Sequence, residues 1–517
     1  MDLFQYHSGQ GKRSKRNGAL TSAVFLFLAL VLQNPVFAGW RGAAGKADIT
    51  PDLSRPVYLA GYGAQGRPAR GVRDPLYARA AALSDGNKTV VLVGLDFIGF
   101  ARPQVEKIRS AFPDAYILVA SVHTHSGPDT LGLWGPEPGI GGVDPVYIED
   151  TVTKVQALIA DLLKRLEPVS LTAAARKVPV AGLVRDLRDP MVIDDEMGVL
   201  VMKSRSSGRR VASIVSWSCH PEVLGRDNFE ITGDFASYLT RELELLTGGT
   251  AVFFAGSIGG LMSPDARAPT FGEAERIGKE LAHHAVDAAA DAQPVGQDAA
   301  LAVSSTTVLL PIENILYLAF LENVRQGRPI VDAQGRPWKD RYWKHWGRHM
   351  RLFFSWLDAR VFGRVFPYLE TEAALVRLGG AASLLAVPGE IFPELVLGGY
   401  GGEFKFHYPL TKPDNPRPPD VNRAPKGPYL KEKMPGRVRM IIGLANDEIG
   451  YIVPEYDFRI NAMSPAMHPR PKGHHYEETN SLGRRATPLL LQAIERLINP
   501  TTPQGQSPID PPNKAKE

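Results

Sequence analysis

Apolar residues in this chain fall into short unbroken blocks, separated by longer stretches in which they recur every third or fourth position. The blocks "TVVLVGLDFIGF" (89–100), "AYILVASVH" (115–123), "VASIVSWSCH" (211–220) and "TAVFFAGSIGG" (250–260) are rich in β-branched and aromatic residues. They read as strands buried on both faces. The stretches "PVYIEDTVTKVQALIADLLKRL" (145–166) and "FGEAERIGKELAHHAVDAAADA" (271–292) have helical spacing. This alternation predicts an α/β fold, a mixed central β-sheet layered with helices, from Gly39 to about Gln293. A second α/β portion runs through "AALVRLGGAASLLAVPGEIFPELVLGGY" (373–400) and "RVRMIIGLANDEIGYIVP" (437–454) to the helix "ATPLLLQAIERLI" (486–498). A helical insertion is expected at about 312–370, and no internal repeat is evident.

The ends differ in character from this body. "KRSKR" (12–16) precedes the apolar run Ala19 to Leu32, and Val36 and Ala38 occupy the small-residue positions of a cleavage site. Residues 1–38 therefore read as a secretory signal peptide, which makes the protein exported, periplasmic or secreted. A retained membrane anchor is the alternative, although the run is shorter than the ~20 residues that a spanning helix prefers. Residues 39–499 form the expected catalytic domain, and the polar, Pro-rich segment 500–517 is expected to be a disordered tail. With 517 residues, 44% of them hydrophobic, the chain can bury a large core. Its net charge of +4 is small for that length and gives no electrostatic case for nucleic acid. The one cysteine, Cys219, cannot form an internal disulfide and reads as a small core residue.

Chemistry enters at "SVHTHSGPD" (121–129), where a strand-like run ends in two histidines one residue apart. Period-two alternation would put His123 and His125 on one face, able to converge on a metal. The bland alternative is a pair of imidazoles hydrogen-bonded to turn carbonyls. Other apolar blocks also end in polar groups: His220 after "SIVSWSC", Glu390 after "LLAVPG", and Tyr451 beyond "MIIGLANDEIG". Ligands gather beyond the carboxyl ends of strands in α/β sheets. Two histidines, a carboxylate and a phenolate make a zinc shell at such strand ends.

At this point the chain resembles the neutral, non-lysosomal ceramidases. The matching elements are "GAAGKADITP", "HTHSGP", "CHPEVLG", "GLMSPD", "PGE", "GLAND..GY" and "YEE", in the family's order, from about Gly42 to Asn499. The resemblance implies one Zn2+ per chain, held by His123, His220, Glu390 and Tyr451. It implies His125 beside the metal as an acid/base or oxyanion-stabilising group, with Ser263 and Tyr476 along the scissile bond. The family's arginine corresponds to Arg185, with Arg188 as the other reading. The implied reaction is hydrolysis of the N-acyl amide of ceramide or a related lipid amide.

The pattern is not intact. Leu261 replaces the carboxylate that the family carries beside the serine, the "NRSP" motif is broken, and the segment after Ile498 is too short for the family's extra β-sandwich domain. Two other functions stay open. A metallophosphoesterase would need Asp96 and Asp234 to build a second metal site about 3.5–4 Å from the first. The other is a lipid-binding relative with weakened catalysis. Finally, Trp338 to Leu369 holds four of the seven tryptophans and seven lysines and arginines against Asp340 and Asp358. Such a basic, aromatic stretch predicts peripheral membrane contact, with Trp343, Trp346, Phe353 and Phe354 as its rings; a helical hairpin packed on the core is the alternative.

Overall fold

In the computed structural model, residues 39–500 are described apart from 325, 339–349, 351–352, 355, 358–359, 361–365, 402–408, 461–472 and 474. The strand-like blocks assemble into two mixed sheets. The larger has nine strands. Its main path runs Thr250–Ala255, Arg210–Trp217, Glu196–Ser204, Glu167–Lys177, Arg41–Asp48, Tyr77–Ser84, Thr89–Leu95, Tyr116–Ser121, and Gln293–Pro294 pairs off this path with Glu167–Lys177. The smaller has five, in the order Leu301–Pro311, Tyr368–Leu378, Ala382–Ala386, Val438–Ile442, with Ile330–Val331 added beside Tyr368–Leu378.

The two sheets share a core. Val90, Leu92, Leu118, Leu200, Ile214 and Phe254 of the larger pack with Val376, Leu384, Met440 and Ile442 of the smaller. Side chains that alternate with these point outward onto helices: Val91, Val93 and Leu95 meet Val152, Val155 and Ile159 of helix Pro145–Lys164. Both faces of such strands are buried, which is why their sequences lack polar alternation. Helices Asp234–Thr247 and Phe271–Ala290 cover the other half of the larger sheet, and Ala486–Ile498 covers the smaller. The architecture is helix, sheet, sheet, helix. Sheet contact demands small residues at the tightest point. A Cβ on Gly443 would lie 2.6 Å from the Gly256 carbonyl oxygen, where Gly443 N–H also donates to the Ala255 carbonyl at 2.9 Å.

Within the two large sheets three strand pairs are parallel: Thr89–Leu95 with Tyr116–Ser121, Arg210–Trp217 with Thr250–Ala255, and Ala382–Ala386 with Val438–Ile442. A helix crosses over between the partners of each of the first two, Arg102–Ser110 and Asp234–Thr247. His123, His220, Glu390 and Tyr451 all lie shortly beyond the carboxyl ends of these strands.

Within the 312–370 insertion, Ile315–Val324 is a helix that buries Tyr317, Leu318, Leu321 and Val324. Trp338 and Trp356 pack against the core of the smaller sheet, and the Phe353 and Phe354 rings are half-buried, 5.5 Å apart. Trp343 and Trp346 lie outside the described residues, as do the segments 1–38 and 501–517. None of the described helices is long and apolar enough to cross a membrane.

Candidate metal centre

Three imidazoles meet where the sheets' carboxyl ends converge. The rings of His123 and His125 are 5.0 Å apart, those of His123 and His220 5.0 Å, and those of His125 and His220 5.6 Å. Each offers a nitrogen within 4.8 Å of the others', and all three side chains are buried. The pair converges for a different reason than period two. The strand ends at Ser121, and His123 adopts φ +73°, a left-handed conformation rare for a residue with a Cβ. A turn, not a pleat, aims these side chains.

Two of the histidines are anchored through Nδ1. His123 Nδ1 lies 2.5 Å from the Ile98 carbonyl oxygen and His220 Nδ1 2.9 Å from that of Met262. Nδ1–H donates in both, which turns each Nε2 inward, where it can give a lone pair to an ion once it carries no proton of its own. Those Nε2 atoms lie 3.6 Å and 3.0 Å from the same oxygen, Glu390 Oε2. Glu390 and Tyr451 are register partners on the short parallel strands Glu390–Ile391 and Tyr451–Ile452. Tyr451 and Tyr476 share a hydrogen bond between their hydroxyls at 2.9 Å.

His125 is held differently. Its carbonyl accepts from Arg67, and its ring lies edge-on to Tyr62 with centroids 5.0 Å apart. Both ring nitrogens are buried without a hydrogen bond. The ring also presses on Gly61, where a Cβ would come within 2.5 Å of it at φ +102°, so this position needs glycine.

Burial dominates the electrostatics. It pushes His123 down to about 4 and His125 well below the usual histidine range, so both are neutral near pH 7. Burial would lower His220 too, but its hydrogen bond to Glu390 and that carboxylate's charge outweigh it and raise the group. Burial, with Glu390 nearby, holds the Tyr451 phenol protonated. Glu448, also facing this pocket, is raised by burial and by Glu390, and its Oε2 has no partner.

Ser263 sits on Met262–Pro264, paired antiparallel with Val184–Asp186 so that it stands opposite Arg185. Its hydroxyl donates to Glu222 Oε1 at 2.5 Å. Arg185 is exposed on the wall of the same cleft, a cavity of about 290 Å³ that also takes in Tyr62, Glu222 and Ser263. Arg188 is locked away instead: its guanidinium is 2% exposed and pairs with Asp457 at 2.8 Å and Glu478 at 3.0 Å. Of the two, Arg185 is thus the arginine that can meet a ligand, and Arg267 lines the same cleft. Asp96 and Asp234 take backbone N–H groups of Tyr77, Leu224 and Phe235, and neither joins the histidine cluster. Cys219 is a buried core thiol.

The sequence reading passed over Glu222, Tyr62 and Glu448. Glu222 lies inside "CHPEVLG", two residues after His220, and that proximity was the available signal. The donor set fits a divalent cation. His123 and His125, kept neutral by burial, have lone pairs to give, a carboxylate stands against His123 and His220, and burying two unpartnered nitrogens on His125 is costly unless something else engages them.

No family model matches the chain. Solved structures do. Over 89% of this chain and 74% of its own, the neutral ceramidase of Pseudomonas aeruginosa superimposes with a TM-score of 0.59 at 16% identity. A ceramidase solved in complex with C2 gives 0.57 at 17% identity, over 89% of this chain and 75% of its own. This chain has the neutral ceramidase fold. At such identity the likeness is one of fold, and it points to the same family as the motifs.

Proposed function

We propose that the protein is a zinc-dependent amidohydrolase that cleaves the N-acyl amide of ceramide or a related lipid amide. The observation that carries the proposal is that the histidine cluster adjoins two unlike spaces, one that His123 lines and one lined by Glu222, whose carboxylate lies 3.3 Å from His125 Nδ1. On one side His123 and Glu390 line a pocket of about 60 Å³ walled by Ile98, Leu131, Leu133 and Trp134. On the other lies the polar cleft of Arg185, Glu222 and Ser263. A substrate with an apolar acyl chain and a polar head would span the two, with its amide at the cluster.

His123, His220 and Glu390 would hold the ion, with Tyr451 as a further donor. Zinc in such a shell supplies a Lewis acid for the carbonyl and a water acidified toward a pKa of ~7. His125, neutral and inside the cluster, is placed to exchange a proton or donate to the developing oxyanion. Tyr476 reaches the same point through its contact with Tyr451, and Arg185 contributes fixed positive charge on the cleft wall. Ser263 lacks a Gly-x-Ser-x-Gly elbow and serves to orient the substrate.

The test is turnover of a fluorescent N-acyl amide. Cleavage should stop on chelation and return with zinc at one ion per chain, and His220→Ala and Glu390→Ala should lose the metal. Cleavage that survives metal removal, or two metals per chain with phosphoester turnover, would refute the proposal. So would binding of the lipid amide with no cleavage at all.

A further inference from the structure

Of the three clustered histidines, two have Nδ1 engaged by a backbone carbonyl, Ile98 for His123 and Met262 for His220. The third has none, although the same rule applies to it: whichever oxygen takes one ring N–H fixes the tautomer and the direction of the other nitrogen. The acidic group facing His125 Nδ1 is Glu222, whose Oε2 lies 3.3 Å away, outside hydrogen-bond geometry. Contacts of this kind commonly tighten when a ligand fills the site.

The other oxygen of the same carboxylate, Oε1, accepts from Ser263 Oγ at 2.5 Å, the length of a charge-assisted bond. One side chain therefore spans the histidine and the serine. Its backbone is fixed for the task. Glu222 N–H donates to the His220 carbonyl at 2.9 Å, and its own carbonyl accepts from Tyr62 Oη at 3.1 Å and from Gly225 N–H at 3.2 Å. Its side chain is 17% exposed and opens on the polar cleft.

Leu261 completes the argument. Two residues before Ser263, it takes φ +68° and buries its side chain in the apolar cluster with Phe392 and Leu395. Leu261 offers the serine no acid, and the carboxylate that does accept from it is that of Glu222.

We infer that Glu222 is a positioning residue that holds His125 in its Nδ1–H tautomer and ties down the Ser263 hydroxyl hydrogen, so that the free nitrogen of one and the lone pairs of the other face the substrate. The kinetic part of this rests on the amidase reading; the tautomer part does not.

The experiment compares the parent with Glu222→Ala and Glu222→Asp, after melting curves and zinc content show each folded and loaded. Glu222→Ala should lower kcat about 10–100-fold with KM little changed, and Glu222→Asp should recover part of the loss. Glu222→Ala/Ser263→Ala should be no slower than the worse single variant, because residues acting as one unit are not additive. In 15N-histidine spectra, with the His125 signal assigned by its loss in His125→Asn, the parent should show the Nδ1–H form and Glu222→Ala a shift toward Nε2–H. Additive kinetic losses, or an unchanged tautomer in Glu222→Ala, overturn the inference. A tautomer change in Glu222→Ala, with a parent that cleaves no amide, refutes the amidase reading and leaves the positioning role standing.

Discussion

At His123 the backbone leaves the strand and turns through φ +73°, and Leu261, Leu444 and Asn446 nearby are also left-handed. Residues with a Cβ accept this conformation only when their surroundings impose it, and such positions collect at functional sites. Sequence periodicity therefore brought the two histidines together by the wrong mechanism, because it extrapolated a pleat past the end of the strand. Residue type was the better guide: His, Glu and Tyr after apolar runs are costly to bury without a purpose. Glu222 was missed since a lone glutamate in a loop carries no periodic mark. Glu394 is a different kind of buried acid, one that the site does not use. Burial raises it to about 8, and its Oε2 has no partner. The folded state thus holds a proton that the unfolded chain releases near pH 4.5, so this group's contribution to stability falls as pH rises from about 4.5 to about 8. Glu394→Gln, which mimics the protonated form, should melt close to the parent at pH 5 and be more stable at pH 9 by on the order of a few kcal/mol. Equal differences at both pH values would show that Glu394 does not carry the proton.

Elements were the most legible level. The strands Thr89–Leu95, Tyr116–Ser121 and Thr250–Ala255 lie within the apolar blocks, and Arg210–Trp217 does so apart from its first residue, because burial on two faces leaves an unbroken signature. Their partners were not legible: which strands run parallel, and that they make two facing sheets, depends on crossovers and on close contacts such as Gly443 against Gly256. Helix Pro145–Lys164 shows how local chemistry sets a boundary. Asp144 accepts from Val146 N–H at 2.9 Å, and Pro145 occupies the first turn where no N–H is missed. Asp144 also pairs with Arg55 at 2.8 Å, on the half-exposed surface where such a bridge is worth little. Asp144→Ala should therefore cost about 0.5–2 kcal/mol, while Asp144→Asn, which caps but carries no charge, should cost much less. Equal losses measured by denaturant melts would assign the effect to the ion pair.

At the scale of the whole molecule, the motifs order the strand ends and the fold then brings them to one place, yet the insertion follows neither rule. Its composition suggested a lipid surface, and the described part is divided. Trp338 and Trp356 pack on the core of the smaller sheet, Phe353 and Phe354 are half-buried, and Met350 is exposed. Trp343, Trp346, Arg348 and Arg351, on which the lipid reading chiefly rests, lie outside the described residues. A lipid amide must be drawn from a membrane or micelle, so the proposed activity calls for a docking surface, and this stretch combines aromatic rings with excess basic charge. Basic residues near an anionic surface are each worth ~1 kcal/mol. Arg348→Glu/Arg351→Glu should then weaken co-sedimentation with phosphatidylserine vesicles by at least about tenfold. The parent's own binding should fall with added salt, as the Debye length shortens toward ~3 Å at 1 M. Turnover of a short, water-soluble N-acyl amide should stay at the parent's rate, because such a substrate needs no lipid surface. Identical co-sedimentation of parent and variant would instead make the segment ordinary packing, an extension of what Trp338 and Trp356 already do.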